Sequence, residues 1–234
     1  MKNKLEYIGS VLHQEQVSLV TIAETTGTPS FVYSKAKLLE QYQALKDALE
    51  GLNFKINYSV KANSNLSILS LLKDEGSGFD IVSAGELGRV LAIGGDPTSV
   101  VFSGVGKSTE EIDFALKNDI GCINVESSSE LDRVIWRAKI LGRKARVSIR
   151  VNPDVDADTH PYISTGLKES KFGVPISQSL SLFEAANQSE HVSLEGIDCH
   201  IGSQISSVTP LAQAIKSICK TIDDLSKKNI TINH

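Results

Sequence analysis

From residue 56 onward, short apolar runs alternate with longer stretches whose apolar residues recur at helical spacing. Ile56-Asn57-Tyr58-Ser59-Val60 reads as a strand, and Leu66, Leu69 and Leu72 then mark one face of a helix that Ser64 is placed to cap. The same beat repeats. Residues 79–82 form a strand before a helix from 84 to about 93, and 100–102 precede a helix over 109–116. Residues 122–125 lead into a helix over 129–141, with 146–151 as the next strand. Residues 194–199 then precede a long helical stretch ending near Lys228, and 230–234 look like one more strand beginning. Such alternation predicts parallel strands joined by crossover helices, an α/β fold. Periodicity leaves both a doubly wound sheet and a (β/α)8 barrel open. No glycine fingerprint follows the first strand, which weighs against a nucleotide-binding sheet.

Upstream the pattern is weaker. Residues 1–27 carry a faintly amphipathic stretch with Val17, Leu19, Val20 and Ile22, and Phe31-Val32-Tyr33 reads as a short strand. Ser34 can cap a helix from Lys35 to about Glu50, on which Leu38, Tyr42, Leu45 and Leu49 share a face. Gly51 follows as a stop signal. One long irregular segment, 152–175, contains three prolines and two glycines, and loops of that length are more often functional than idle.

Composition narrows the field. A net charge of −4 with mixed signs offers no basic footprint for nucleic acid. No run approaches the roughly 18 apolar residues of a membrane span, and no signal-peptide pattern opens the chain. Cys122, Cys199 and Cys219 are odd in number and far apart, which predicts a reducing cytoplasm with neither disulfide nor zinc framework.

Polar residues collect where the strands end: Lys61, Asp80, Ser83, Ser103, Glu126, Arg150, Asn152 and the run from His200 to Ser203. In a barrel these positions share one face, where chemistry is kept. A lysine there, if desolvated, offers a neutral amine able to attack a carbonyl. Its plain alternative is a side chain that reaches out to solvent. Asp80 can accept hydrogen bonds or balance a cation such as Lys61 or Arg150, and Arg150 offers a planar fork for carboxylate or phosphate. A lone strand-end histidine such as His200 is more often structural. His160 and Asp158 with scattered carboxylates make no metal site. Gly104-Val105-Gly106-Lys107-Ser108 suggests a phosphate loop, but Val101 stands where that motif requires glycine, so a βα turn is the better reading.

Three word-like motifs shift the weight. Tyr58-Ser59-Val60-Lys61-Ala62-Asn63, Gly78-Phe79-Asp80-Ile81-Val82-Ser83-Ala84-Gly85-Glu86-Leu87 and His200-Ile201-Gly202-Ser203-Gln204 resemble the barrel-type, fold type III pyridoxal phosphate (PLP) decarboxylases. The likeness runs from about Thr28 to the last residue. Within that family, Asn152-Pro153-Asp154-Val155-Asp156, then Thr159-His160-Pro161-Tyr162-Ile163-Ser164-Thr165-Gly166, then Lys171-Phe172-Gly173 resemble the diaminopimelate decarboxylases in particular.

The resemblance implies an incomplete (β/α)8 barrel of about six units over 35–234, preceded by residues 1–34, which would join a second β-domain. It implies Lys61 as the PLP-bearing and catalytic lysine, with Asp80, Arg150, His200, Gly202 and Ser203 around the cofactor, His200 stacked on the ring and Ser203 at the phosphate. It also implies a cytoplasmic homodimer that converts meso-diaminopimelate to L-lysine, with no metal, nucleic acid or membrane involved. The family's later phosphate-binding glycine run, pyridine-binding glutamate and second domain do not occur in these 234 residues, so the chain is expected to be inactive and poorly stable alone. The rivals are a barrel decarboxylase of ornithine, arginine or carboxynorspermidine, a non-catalytic remnant, and a cofactor-free lysine aldolase.

Overall fold

The computed structural model describes residues 5–155, 172–203 and 205–234. The chain divides into two compact units, Met1–Ile56 and Asn57–His234. The first contains a small antiparallel sheet of β1 (Leu5–Ile8), β2 (Val11–Gln14) and β3 (Val17–Ser18), followed by α1 (Leu19–Thr26) and α2 (Lys35–Ala48). Ser18 and Ser34 cap the two helices with their hydroxyls. Glu15 fixes the start of α2 by accepting from the Ser34 hydroxyl at 2.6 Å and the Ala36 amide at 3.0 Å. Those hydrogen bonds hold the Glu15 carboxyl below the usual range. The expected strand at Phe31-Val32-Tyr33 does not form. These residues are irregular and exposed, so no ladder takes up their β-branched and aromatic character.

The second unit is built on parallel strands β4 (Asn57–Ser59), β5 (Gly78–Ile81), β6 (Val100–Phe102), β7 (Cys122–Val125), β8 (Ala145–Asn152) and β10 (Val192–Asp198), hydrogen-bonded side by side in chain order. The two-residue strand β9 (Val174–Pro175) pairs with the end of β8. Crossover helices separate the strands: α3 (Leu66–Asp74), α4 (Ala84–Ala92), α5 (Thr109–Lys117), α6 (Ser128–Leu141) and α7 (Ser179–Gln188), and α8 (Thr209–Ser226) follows β10. Sequential neighbours in a parallel sheet with a helix between each pair are the arrangement of an α/β barrel, here with six βα strands.

The expected strands and crossovers from residue 56 onward otherwise stand, with four further corrections to the chain as a whole. Asn65, not Ser64, caps α3, its carbonyl accepting from the Ser67 amide at 2.9 Å. Helix α7 had no counterpart in the periodicity, although Leu182, Phe183 and Ala186 are buried on it. The antiparallel sheet of the first unit was likewise missed. Residues 230–234 form no strand, yet the amides of Asn233 and His234 bond to the Glu195 carbonyl and the Ile197 amide to that of His234.

One core joins sheet and helices. Phe79, Ile81, Phe102, Ile123, Val125, Val147 and Ile149 from the strands meet Leu69, Leu87, Ile112, Leu131 and Phe183 from the helices, all essentially sealed from solvent. Each such side chain contributes roughly 1.5–3 kcal/mol on burial. Strand β10 carries a bulge at Glu195: Leu194 pairs with Val147 but Gly196 with Ser148, which sets Asp198 opposite Arg150.

Candidate active site

Strand residues alternate between the helix-facing core and the opposite side, and on that opposite side several positions are polar. Asn57 on β4, Asp80 on β5, Asn124 on β7, Ser148 and Arg150 on β8 and Asp198 on β10 line one cavity of about 400 Å³. Lys61, Ser103, Cys199, His200 and His234 complete its polar and thiol lining, with Val101 and Ile197. The volume suits a small ligand.

Lys61 lies in the 3-10 turn Val60–Ala62 directly after β4. Its side chain is exposed and turned to the cavity, so the burial considered for it from sequence is not present. Asp80 has both oxygens engaged by hydroxyls, which is the hydrogen-bonding alternative considered for it and not the pairing with a cation. Ser59 donates to Oδ2 at 2.8 Å and Ser103 to Oδ1 at 2.6 Å, while Asn124 donates in turn to Ser103 at 3.2 Å. Arg150 does meet carboxylates: Nη1 donates to Glu126 Oε1 at 3.2 Å, and Nε stands 3.8 Å from Asp198 Oδ2. The Phe172 ring lies 5.2 Å from its guanidinium carbon. His200 is open to solvent on one side, yet the protein around it, with the Arg150 and Lys61 cations, holds its imidazole below the ordinary histidine range.

Four of the six expected site residues, Lys61, Asp80, Arg150 and His200, thus share the cavity. Gly202 and Ser203 follow His200 at once but are not among the lining residues. Gly202 has φ of 148°, a conformation that side chains disfavour. The stretch Thr159 to Gly166, and Lys171, lie outside the described residues.

Behind the cavity wall stands a polar network whose buried lysine the sequence showed only as part of a false phosphate loop. The buried Lys107 ammonium donates to the carbonyls of Gly104 and Asn124 and to Glu130 Oε1, at 2.6, 2.7 and 2.8 Å. Glu130 accepts the Glu126 amide at 2.7 Å. Glu126 in turn receives the amides of Gly104 and Gly173 as well as Arg150. A Cβ at Gly173, where φ is 68°, would approach the Arg150 carbonyl to 3.0 Å, so glycine suits that close crossing.

The residues present fit a pyridoxal group. A primary amine, an imidazole and a guanidinium face one cavity, and Asn57 Oδ1, Ser148 Oγ and Arg150 Nε are buried there without a hydrogen-bond partner among the described residues. Orphaned buried polar atoms are rare unless a ligand or water meets them. Asp198, Asn124 and Ser148 are lining residues that sequence reasoning did not single out. Their signal was a polar residue at an alternate position inside an otherwise apolar strand.

Comparison with known proteins gives a consistent result. The chain is 50% identical over 228 residues to the diaminopimelate decarboxylase of Pseudomonas aeruginosa, covering 97% of this chain and 55% of that protein. The structure of the Helicobacter pylori diaminopimelate decarboxylase complexed with L-lysine superposes with a TM-score of 0.88 at 44% identity, covering 92% of this chain and 54% of that one. SrLDC in complex with PLP and cadaverine gives a TM-score of 0.79 at 25% identity over 95% of this chain and 53% of its own. The chain therefore spans about half the length of the curated relatives it matches. Residues 35–234 match the pyridoxal-dependent decarboxylases at their pyridoxal binding domain, and the chain belongs to that family.

Proposed function

We propose that this chain forms the pyridoxal phosphate-binding part of an enzyme that decarboxylates meso-diaminopimelate to L-lysine. The observation that carries the reading is the convergence of the Lys61 amine and the His200 imidazole on one cavity at the strand ends, in a chain half identical to a diaminopimelate decarboxylase. When bound, PLP supplies an electron sink for the electron pair left behind as carbon dioxide departs. Everything else falls to the protein. Lys61 is the covalent anchor, and its amine, once released, is placed to carry a proton to or from the ligand. His200 provides a flat face for the ring, and its lowered proton affinity favours a neutral imidazole there. Asp80, held by two hydroxyls, presents a fixed negative charge to a bound cation. Gly202 lets the backbone approach a ligand closely, and Ser203 offers a hydroxyl for a phosphate. Residues 1–34 are read as part of a second, β-rich domain, which their antiparallel strands support. A cytoplasmic homodimer completes the reading, as the family resemblance implies. No described helix is long and apolar enough to cross a membrane.

Borohydride reduction of the PLP-loaded protein should fix the cofactor on Lys61, and peptide mapping that finds it on another lysine would refute the anchor. A protein carrying this chain at the relatives' length should release carbon dioxide from meso-diaminopimelate far faster than from ornithine or lysine. Equal turnover of ornithine would overturn the substrate.

A further inference from the structure

Asp198 has no role in the function proposed above, and its surroundings are unusual. Its carboxyl is mostly enclosed, at 29% side-chain exposure, and lines the cavity. Among the described residues its one charged contact is Arg150 Nε at 3.8 Å, within ion-pair reach but too long for a hydrogen bond. That Nε is itself buried without a hydrogen-bond partner. At Nη1 of the same guanidinium, Glu126 is held by Arg150 and two backbone amides, with at least one donor on each oxygen. One guanidinium thus stands between a carboxylate whose geometry is fixed and a carboxyl whose geometry is open.

We propose that Asp198 is a positioning residue that works through its proton. Neutral, it leaves the Arg150 guanidinium free to turn toward an anionic group of a ligand in the cavity; ionised, it draws the guanidinium to itself and competes with that group. This rests on the PLP-binding reading for its ligand but not for its proton.

The electrostatics agree with the geometry. Desolvation pushes the Asp198 carboxyl up to about 6, with Arg150 opposing the rise and Glu126 and Asp80 adding to it. The Lys107 cation behind the wall opposes it more weakly. Lys61 and His200 face the same cavity from the turn after β4 and the end of β10, as do Cys199 and His234. A carboxyl bound more tightly to its proton in the folded than in the unfolded chain makes stability fall as pH rises from about 4 through 6. Carrying such a group lowers stability at neutral pH, as titratable groups in functional cavities often do.

The test compares the wild-type protein with Asp198→Asn, which keeps the shape and cannot ionise; Asp198→Ser serves if the first does not fold. Ligand-free thermal melts should lie closest at pH 4 and below, and the variant's advantage should grow as pH rises to about 7. At pH 8 the variant should melt about 5 °C higher. Pyridoxal 5′-phosphate, titrated by absorbance, should bind the variant about fivefold more tightly at pH 8 and equally at pH 5, the ligand's own ionisation being common to both. If pyridoxal shows the same gain, Arg150 meets the ring oxygen; if it does not, Arg150 meets the phosphate. Melts that differ by the same amount at every pH would overturn the proton. A variant with no advantage in binding at pH 8 would overturn the competition. If neither protein bound PLP at any pH, the proposed function and the ligand half of this inference would fall, while the melts would still decide the proton.

Discussion

Two polar systems lie back to back in this protein, and they are finished to different degrees. In the wall, Lys107, Glu130 and Glu126 are almost wholly buried, and every charged atom has named partners at hydrogen-bond distance. Across the strands, on the cavity side, Asn57 Oδ1, Ser148 Oγ and Arg150 Nε are buried with none among the described residues. A buried network that is fully satisfied specifies structure, whereas an open one of similar composition is incomplete without something bound. Residue type alone does not separate the two, since both are made of carboxylates, amides and cations. Satisfaction does.

The sharpest way to break the contrast is Lys107→Met. It removes the cation and leaves the Glu130 carboxylate buried beside the Gly104 and Asn124 carbonyls, so unfolding in denaturant should show a loss of about 3–5 kcal/mol. A loss below about 1 kcal/mol would mean that the wall tolerates an open charge as readily as the cavity does. Glu126→Gln should cost less, about 1–3 kcal/mol, because its amide can accept at only one end and must turn an N–H toward an N–H donor, that of Gly173 if Gly104 and Arg150 keep the oxygen. The same measurement checks it, with Glu126→Ala expected to cost more. Ser148→Ala should have the smallest effect and sharpens the comparison from the other side. Removing a hydroxyl with no partner among the described residues should leave stability within about 0.5 kcal/mol of wild type, or raise it slightly. A clear loss there would reveal that Ser148 is already satisfied, and the cavity would no longer be the open half.

Most of the sheet was legible because its central strands are buried and read as short, largely apolar runs, as Cys122-Ile123-Asn124-Val125 does. The strands of the first unit were not. Leu5–Ile8 is short and mostly exposed, so burial left little alternation in the sequence. Ser64 and Asn65 are both good cap residues side by side, and only the backbone decides between them. In the site, Lys61 and His200 stood out because they sit just past apolar runs, whereas Asp80 and Arg150 lie within β5 and β8 and gained their weight from the family resemblance. Asn124, Ser148 and Asp198 were hidden inside those runs, where one polar residue reads as noise until the strand is seen edge-on. Lys107 was visible but misleading: its glycine neighbours suggested phosphate, while its partners are a buried carboxylate in the first turn of α6 and two backbone carbonyls.

The bulge at Glu195 divides β10 into two stretches held in different register against β8. Before it, Val192 to Leu194 keep step with β8 and serve the core; after it, Ile197 and Asp198 are advanced by one position and serve the cavity. A lineage can therefore change what the outer stretch presents to a ligand without renegotiating the inner one. Insertions and deletions, usually ruinous in a central strand because they invert every side chain beyond them, have here a joint at which a single residue can be gained or lost and the two faces reassigned. New specificity within this scaffold can arise by moving that joint as well as by exchanging side chains.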